Sequence, residues 1–531
     1  MALSERFRGM TVGSALAARA TADSGAPYLL YRDRQIPYGE VDGDSEALAA
    51  SLANLGVKSG DRIALVLPPC PEFVTTLFAA AKIGAIVVPL NPRLTASELQ
   101  YMLRHSEAVC AVTIEQAFGV DYLQLFETLM PNLPDLQYLL TVGEEDLWFD
   151  DRIFQFEDLV SAGRGRDFAV EHIPATDDRF AIVYTSGTMG KPKGVELSHG
   201  NLISIAAGSM DAFALLTDDR VVGITALFHV FGLGPGLLGT LLAGASVVLQ
   251  DDSDAAATLD MAEFHRATVH YGIPSLYVGA LQQLGRRSRD LSTLRLAVVS
   301  GAPVSDELVD EIRSTLGVPV LTTYSVTETA STVAATRAAD PIEKQRFTVG
   351  KPLEGIQVRI TEPTGELLPE ESVGEIGVKG PGVMVGYYRQ PTDSAAAFDA
   401  DGFFRTGDLG ILDEEGYLHL VGRIKDVIIR SGFNVYPREV ETRIESHPAV
   451  REVAAIGIPD PLLGEAICAC VVPVEGAIVT GQEIVDWCRE TLAEDKVPDS
   501  VRFLDRLPKT ETGKVRRVEL SREVLAENES T

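Results

Sequence analysis

Between Asp61 and Pro89 the apolar positions cluster, then recur at helical spacing, then cluster again. Arg62 to Leu67 is a β-branched run that reads as a buried strand, Pro71 to Lys82 as a helix, and Gly84 to Pro89 (GAIVVP) as a second strand. Thr95-Ala-Ser-Glu98 forms a capping box for the next helix. Such alternation predicts a parallel sheet with crossover helices. A second copy appears near 236–250, where LLAGASVVL echoes AKIGAIVVP, so two similar α/β layers packed together are expected. A third unit runs from a strand at Leu294–Val299 through a helix to about Leu316 and a strand over 318–323. After Val373 the texture changes to short strands and turns (GEIGVKG, GYLHLVGR), a small β-rich piece. Past Lys425 the pattern predicts a helix over 437–446, strands over 450–458 and 465–473, a helix over 482–493 and a strand over 500–504. The expected architecture is a large α/β N-terminal domain (two packed α/β subdomains plus the β-rich one) and a small α+β C-terminal domain. The expected division is 1–424 and 425–531, with the boundary inside 423–427.

Composition narrows the classes without choosing a reaction. The 531 residues exceed one ordinary core, and 46% hydrophobic with 23% charged residues describes a globular chain. With 46 basic against 76 acidic residues the net charge is −30, which argues against nucleic acid or an anionic membrane as partner. Five cysteines (Cys70, Cys110, Cys468, Cys470, Cys488) lack Cys-x-x-Cys spacing and sit in apolar runs, as buried thiols in a reducing cytoplasm do. The eight histidines form no zinc pattern, and no apolar run reaches transmembrane length. The first 22 residues are expected as a surface helix rather than a targeting peptide, and the final Glu-Ser-Thr is not a peroxisomal tripeptide. The oligomeric state stays open, a homodimer included.

Residues 180–199, FAIVYTSGTMGKPKGVELSH, are the hardest to explain as scaffold. An apolar run ends at Thr185-Ser186-Gly187-Thr188; Gly190, Lys191, Lys193 and Gly194 follow, and a strand pattern resumes. Three glycines let backbone N–H groups turn around an anion, and three hydroxyls and two lysines add the donors and charge a triphosphate needs. A surface hairpin has a similar composition, and no Walker frame fits.

Other stretches are ambiguous taken singly. His229, between Phe228 and Phe231, reads first as a hydrogen-bonded core residue. Gly234-Pro-Gly236-Leu-Leu-Gly239 with Asp251 satisfies a dinucleotide fingerprint, which would make the chain a dehydrogenase. Pro235 sits awkwardly in that turn, so a Gly-rich helix packed on a strand explains it better. Ser300-Gly301-Ala302-Pro303, Phe404-Arg-Thr-Gly-Asp408 and Ser431-Gly432 each read alone as ordinary turns.

Taken together and in order, these motifs resemble the adenylate-forming enzymes, the acyl-CoA synthetases and their relatives, most of all bacterial fatty-acid–CoA ligases. The resemblance spans essentially the whole chain. It implies ATP, Mg²⁺ and CoA as cofactors and co-substrates, and a small carboxylic acid activated as acyl-AMP before transfer to CoA. By resemblance, Thr185, Ser186, Gly187, Thr188 and Lys193 hold the phosphates. Gly301, Ala302, Pro303, Tyr324 and Ser325 frame adenine, Thr327 meets the α-phosphate, and Glu328 holds Mg²⁺. Asp408 and Arg423 take the ribose, Lys425 is the hinge, and Ser431-Gly432 open the thioester-forming loop. Lys514 is the catalytic lysine, and His229 lies at the mouth of the acyl pocket. Two positions depart from the family pattern: Ser325 and Ser431 stand where glycine is usual. An uncharged, Gly- and Leu-rich stretch after His229 favours a medium- or long-chain fatty acid over an aryl or short-chain acid. Transfer to a carrier protein is the alternative to CoA.

Overall fold

The computed structural model describes residues 6–529 apart from 8, 145–149, 170–171, 186–191, 225, 252–253, 363 and 511–512. Both predicted α/β layers form. In one, strands Arg62–Val66, Ile86–Pro89, Cys110–Ile114 and Tyr138–Val142 run parallel, as crossover helices require. That sheet is extended at one edge by the antiparallel pair Arg179–Thr185 and Lys193–Ser198 and then by Gly386–Tyr387. In the other, Arg220–Ile224, Ser246–Leu249, Val269–Gly272, Leu296–Val299 and Val320–Val326 form the parallel centre of a nine-stranded sheet.

The sequence echo has a shared physical cause. Gly84 and Gly244 both end a helix in the left-handed conformation, at φ 75° and 79°, and each leads into a buried strand. The Thr95 capping box also forms, with Thr95 and Glu98 satisfying each other's backbone N–H.

One expectation is corrected, and one element is new. The helix Val12–Ala22 is not a surface element: Val12 and Leu16 are fully buried in the main core. The hairpin Pro27–Tyr31 and Arg34–Pro37, not anticipated, completes the nine-stranded sheet by parallel pairing with Ser246–Leu249. Tyr28 and Tyr38 stack at 4.5 Å and donate their hydroxyls to the carbonyls of Leu237 and Ala245.

A four-stranded antiparallel sheet (Gln357–Thr361, Gly374–Lys379, Phe404–Leu412, Leu418–Arg423) is the β-rich piece closing the large domain. From Ile428 onward the chain builds the small domain, a five-stranded sheet covered on both faces. Val440, Ile444, Ile484 and Cys488 pack on one face, and Leu520 and Val524 on the other. All five cysteines are buried free thiols. Among the described residues no helix is long and apolar enough to cross a membrane, and no cluster of His, Cys, Asp or Glu could hold a metal ion.

Candidate active site

Asp408, Arg423 and Glu328 of the large domain come within electrostatic reach of Lys514 on the carboxy-terminal loop. Thr185 ends one strand and pairs in register with Lys193 on the next, so a two-stranded stem flanks this stretch of sequence. Ser186, Gly187 and Thr188 lie outside the described residues. The stem is fixed from the side: His105 Nδ1 lies 2.8 Å from the Tyr184 hydroxyl, and Tyr101 donates to the Pro192 carbonyl at 3.3 Å.

Opposite the stem, Asp408 and Arg423 face each other in register on adjacent antiparallel strands. Arg423 Nε donates to Asp408 Oδ1 at 2.5 Å, and the Tyr324 hydroxyl donates to Oδ2 at 2.7 Å. The carboxylate, 9% exposed, is therefore held from both sides with its charge paired. Tyr324 itself is 5% exposed among Val333, Ile376 and Val378, so its phenol orients Asp408 and its ring belongs to the core. Ser325 does bring a hydroxyl into the cleft wall. Its Oγ lies 3.2 Å from Ser300 Oγ, which accepts from Thr323 Oγ1 at 2.7 Å. Gly301 turns at φ 88°, a left-handed conformation. Ala302 is half-buried and Pro303 exposed beside it.

Thr327, Glu328 and Thr329 form a single 3₁₀ turn at the end of the strand carrying Tyr324. The Met384 N–H donates to the Glu328 carbonyl at 2.8 Å, and the Tyr387 hydroxyl donates to Glu328 Oε1 at 2.9 Å. Lys193 is engaged too: its Nζ is 2.6 Å from Asp393 Oδ2 and 4.7 Å from the Tyr387 ring centre.

Lys514 reaches this group from the small domain. A tight turn presents it: Thr510 N–H donates to the Lys514 carbonyl at 2.8 Å, and Lys514 N–H donates to Thr510 Oγ1 at 3.1 Å. Lys514 is exposed as a residue, yet protein crowded around its ammonium, and then the like charge of Arg423, lower its pKa, while Asp408 and Glu328 oppose the shift. His229 senses the same ammonium. Burial first and Lys514 second push its imidazole down to about 4. Its Nδ1 accepts from the Phe231 N–H at 3.3 Å, which leaves the proton of the neutral ring on Nε2.

The dehydrogenase reading fails on geometry. Gly234–Gly239 is not a strand-to-helix turn but lies within a buried, Gly-rich helical stretch, where Gly232–Leu238 is wound as a π-helix. Asp251 pairs with Arg32 instead. Lys425 is exposed in the short turn Ile424–Asp426 that joins the two domains' sheets. Ser431 (φ 52°) and Gly432 (φ 85°) form a two-residue hairpin turn with both residues left-handed, as a type I′ turn requires. They connect Ile428–Arg430 to Phe433–Val435, a hairpin of the small domain. Two residues near the site were not singled out from sequence. Tyr387 sits in the segment GVMVGYY, whose glycines and aromatic doublet were the available signal, and Arg438 of the small domain donates to the Val304 carbonyl at 3.3 Å.

Comparison with known proteins agrees with this geometry. Residues 16–388 match the AMP-binding enzyme family, and residues 439–514 match the AMP-binding enzyme C-terminal domain. The chain is 36% identical over 517 residues to a feruloyl-CoA synthase of an Amycolatopsis species, covering 97% of this chain and 99% of that one. It is 31% identical over 519 residues to a long-chain-fatty-acid–CoA ligase of Bacillus subtilis, covering 92% and 90%. Superposition on the anthranilate CoA ligase AuaEII in complex with anthranoyl-AMP gives a TM-score of 0.89 at 27% identity, covering 98% of this chain and 99% of that one. With both family domains matched and the full length covered, the chain belongs to the AMP-binding enzyme family and is an adenylate-forming acyl-CoA synthetase, an AMP-forming acid–CoA ligase.

Proposed function

We propose that this ligase acts on a monocarboxylic acid with an uncharged, apolar tail, first of all a medium- or long-chain fatty acid. The carboxylate oxygen attacks the α-phosphorus of ATP and pyrophosphate leaves. The CoA sulfur then attacks the acyl carbon and AMP leaves. The first step brings two anions together inside a protein of net charge −30, so it needs local positive charge and fixed donors. The observation that carries the reading is the buried Asp408 held by Arg423 and Tyr324, with the turn that precedes Lys514 brought against Ser275 of the large domain.

In this reading Lys514 stabilises the pentacoordinate phosphorus, and Thr185, Ser186, Gly187, Thr188 and Lys193 cradle the leaving phosphates. Thr327 donates to the α-phosphate. Gly301, Ala302, Pro303 and Ser325 border the adenine, and Asp408, set by Arg423 and Tyr324, accepts the ribose hydroxyls. Among the described residues Glu328 spends one oxygen on Tyr387, which leaves Oε2 for a hard cation. Mg²⁺ there would offset phosphate charge. His229, neutral and fixed at Nδ1, orients the acid. A domain boundary at 424/425 lets the small domain pivot about Lys425, withdrawing Lys514 and bringing in the Ser431-Gly432 turn for the thioester step.

The tail assignment rests on the buried, uncharged stretch Gly232–Leu238. An aryl acid is the second reading, favoured by the ring cluster beside that stretch: Phe231 lies 5.4 Å and Phe213 5.7 Å from Tyr271. Pyrophosphate release measured across a panel of fatty, aryl and short-chain acids tests both. Turnover with none of them sinks the acid assignment, and aryl acids outrunning alkyl acids moves it to the second reading.

A further inference from the structure

The segment Met384–Tyr388 belongs to no motif read from the sequence, yet it touches both cation-handling parts of the site. Its backbone is stapled to the stem of the phosphate loop. Val195 and Tyr387 are register partners, Val385 N–H donates to the Glu196 carbonyl at 2.9 Å, and Tyr388 N–H donates to the Gly194 carbonyl at 2.7 Å. Its other edge holds the Glu328 turn through the Met384 N–H. Tyr387 then spans the gap with its side chain. The ring lies under Lys193 Nζ at 4.7 Å, and the hydroxyl donates to Glu328 Oε1 at 2.9 Å.

We propose that Tyr387 is a positioning residue for the adenylation step, fixing the Glu328 carboxylate in the rotamer that leaves Oε2 facing the phosphates and locking it to the stem that carries Lys193. The inference rests on the reading of Glu328 as the Mg²⁺ ligand. The chemistry is that of an outer-shell partner: a carboxylate ligand free to rotate must be immobilised when the cation arrives, whereas one already hydrogen-bonded through its other oxygen need not be. A phenol ordinarily keeps its proton up to about pH 10, so the group stays a donor throughout the working pH range. The ring contributes separately. Lys193 is shared between Asp393 and the π-face, so its ammonium keeps a fixed place without being fully neutralised by a carboxylate 46% exposed.

A plain scaffold role predicts something different. A second bond of the same residue, Tyr387 N–H to Ser394 Oγ at 2.8 Å, serves the local turn and does not approach Glu328. The decisive experiment therefore compares three full-length variants, Tyr387→Phe, Ser394→Ala and Glu328→Gln. The readouts are the Mg²⁺ midpoint for ATP binding, by calorimetry without acid, and the Mg²⁺ midpoint for pyrophosphate exchange. Tyr387→Phe keeps the ring under Lys193 and is expected to raise both midpoints about tenfold, the effect usual for losing an outer-shell partner. Thioester formation from supplied acyl-AMP, which involves no pyrophosphate, is expected to stay within about twofold of the parent, and Ser394→Ala is expected to leave both midpoints unchanged. Equal shifts in Tyr387→Phe and Ser394→Ala would reduce the segment to scaffold and overturn the proposal. A normal midpoint in Tyr387→Phe beside a raised one in Glu328→Gln would overturn it too. A normal midpoint in Glu328→Gln would instead remove the metal-ligand reading itself, and the inference with it.

Discussion

Gly513 of the small domain lies against Ser275 of the large one: a Cβ built on the glycine would stand 3.4 Å from the serine Oγ. At φ 82° the glycine holds a left-handed turn in which L side chains are strained, and it ends the approach of the chain just before Lys514. The two domains thus come into contact range one residue before Lys514.

That contact makes the division of labour testable. Lys514→Ala is expected to lower pyrophosphate exchange by roughly 10²–10³, the usual consequence of losing one fixed donor to developing charge. Thioester formation from supplied acyl-AMP should largely survive, because that step is assigned to the Ser431-Gly432 turn of a different hairpin. Equal loss in both half-reactions would mean that Lys514 serves the fold or both steps alike.

The Asp408 carboxylate offers a second test. Asp408→Asn removes the charge that Arg423 and Tyr324 converge on, and leaves the Arg423 guanidinium without its counter-ion. Hydrogen bonds to charged groups contribute about 1.5–3 kcal/mol, so KM for ATP is expected to rise at least about tenfold. KM for the acid should change far less. An unchanged KM for ATP would separate Asp408 from the nucleotide.

Much of this site was legible in the sequence because its donors come as local motifs. The Tyr324–Glu328 segment ends a strand, Lys514 follows a tight turn, and Asp408 lies within the strand Phe404–Leu412, each beside glycines or hydroxyls contiguous in the chain. Tyr387 was not legible. It acts on Glu328 from 59 residues away through a two-residue strand, and neither periodicity nor composition marks so short an edge. The same holds for the hairpin of residues 27–37, whose parallel partner lies some 220 residues on. The buried faces of local elements show in hydrophobic spacing, but pairing between distant edges does not. The left-handed Ser431 was half legible: the family pattern offered glycine there, and the structure shows the type I′ turn that explains the preference.

The acyl assignment can be tested at Gly234. A Cβ there would stand 3.3 Å from the Ala330 carbonyl, so the helical wall and the strand after Glu328 already touch. Gly234→Val is expected to push these walls apart or narrow the space between them. KM should rise several-fold for long or bulky acids, with little change for a two- or three-carbon acid or for ATP. An equal effect on every acid would place Gly234 outside the tail path.

Buried histidines weigh on the acid stability of the fold, His199 and His270 alongside His229. His199 and His270, at 0% and 2% exposure, are held neutral mainly by burial, which pushes each imidazole down to about 4 from an ordinary 6.5. His199 stacks on Phe180 at 4.6 Å and accepts from the Val12 N–H, with Asp178 weakly opposing the shift. His270 packs on the Tyr277 ring at 4.7 Å. Because the folded pKa lies below the unfolded one, the unfolded chain takes up the protons first as pH falls. The stability they contribute is complete above about 6.5 and is lost progressively towards 4. A shift of that size corresponds to about 3 kcal/mol per histidine at the end of the range. The paired carboxylate of Asp413 acts lower: held at about 2 with Lys344 donating to it, it begins to matter only below its ordinary 3.8. Melting temperature should therefore fall between pH 6.5 and 4.5, partly offset by Glu196 and Glu445, whose carboxyls burial holds above their ordinary value, and His270→Gln, which keeps a polar side chain that does not titrate, should flatten that fall. A melting temperature independent of pH across this window would show that the buried imidazoles do not govern acid unfolding.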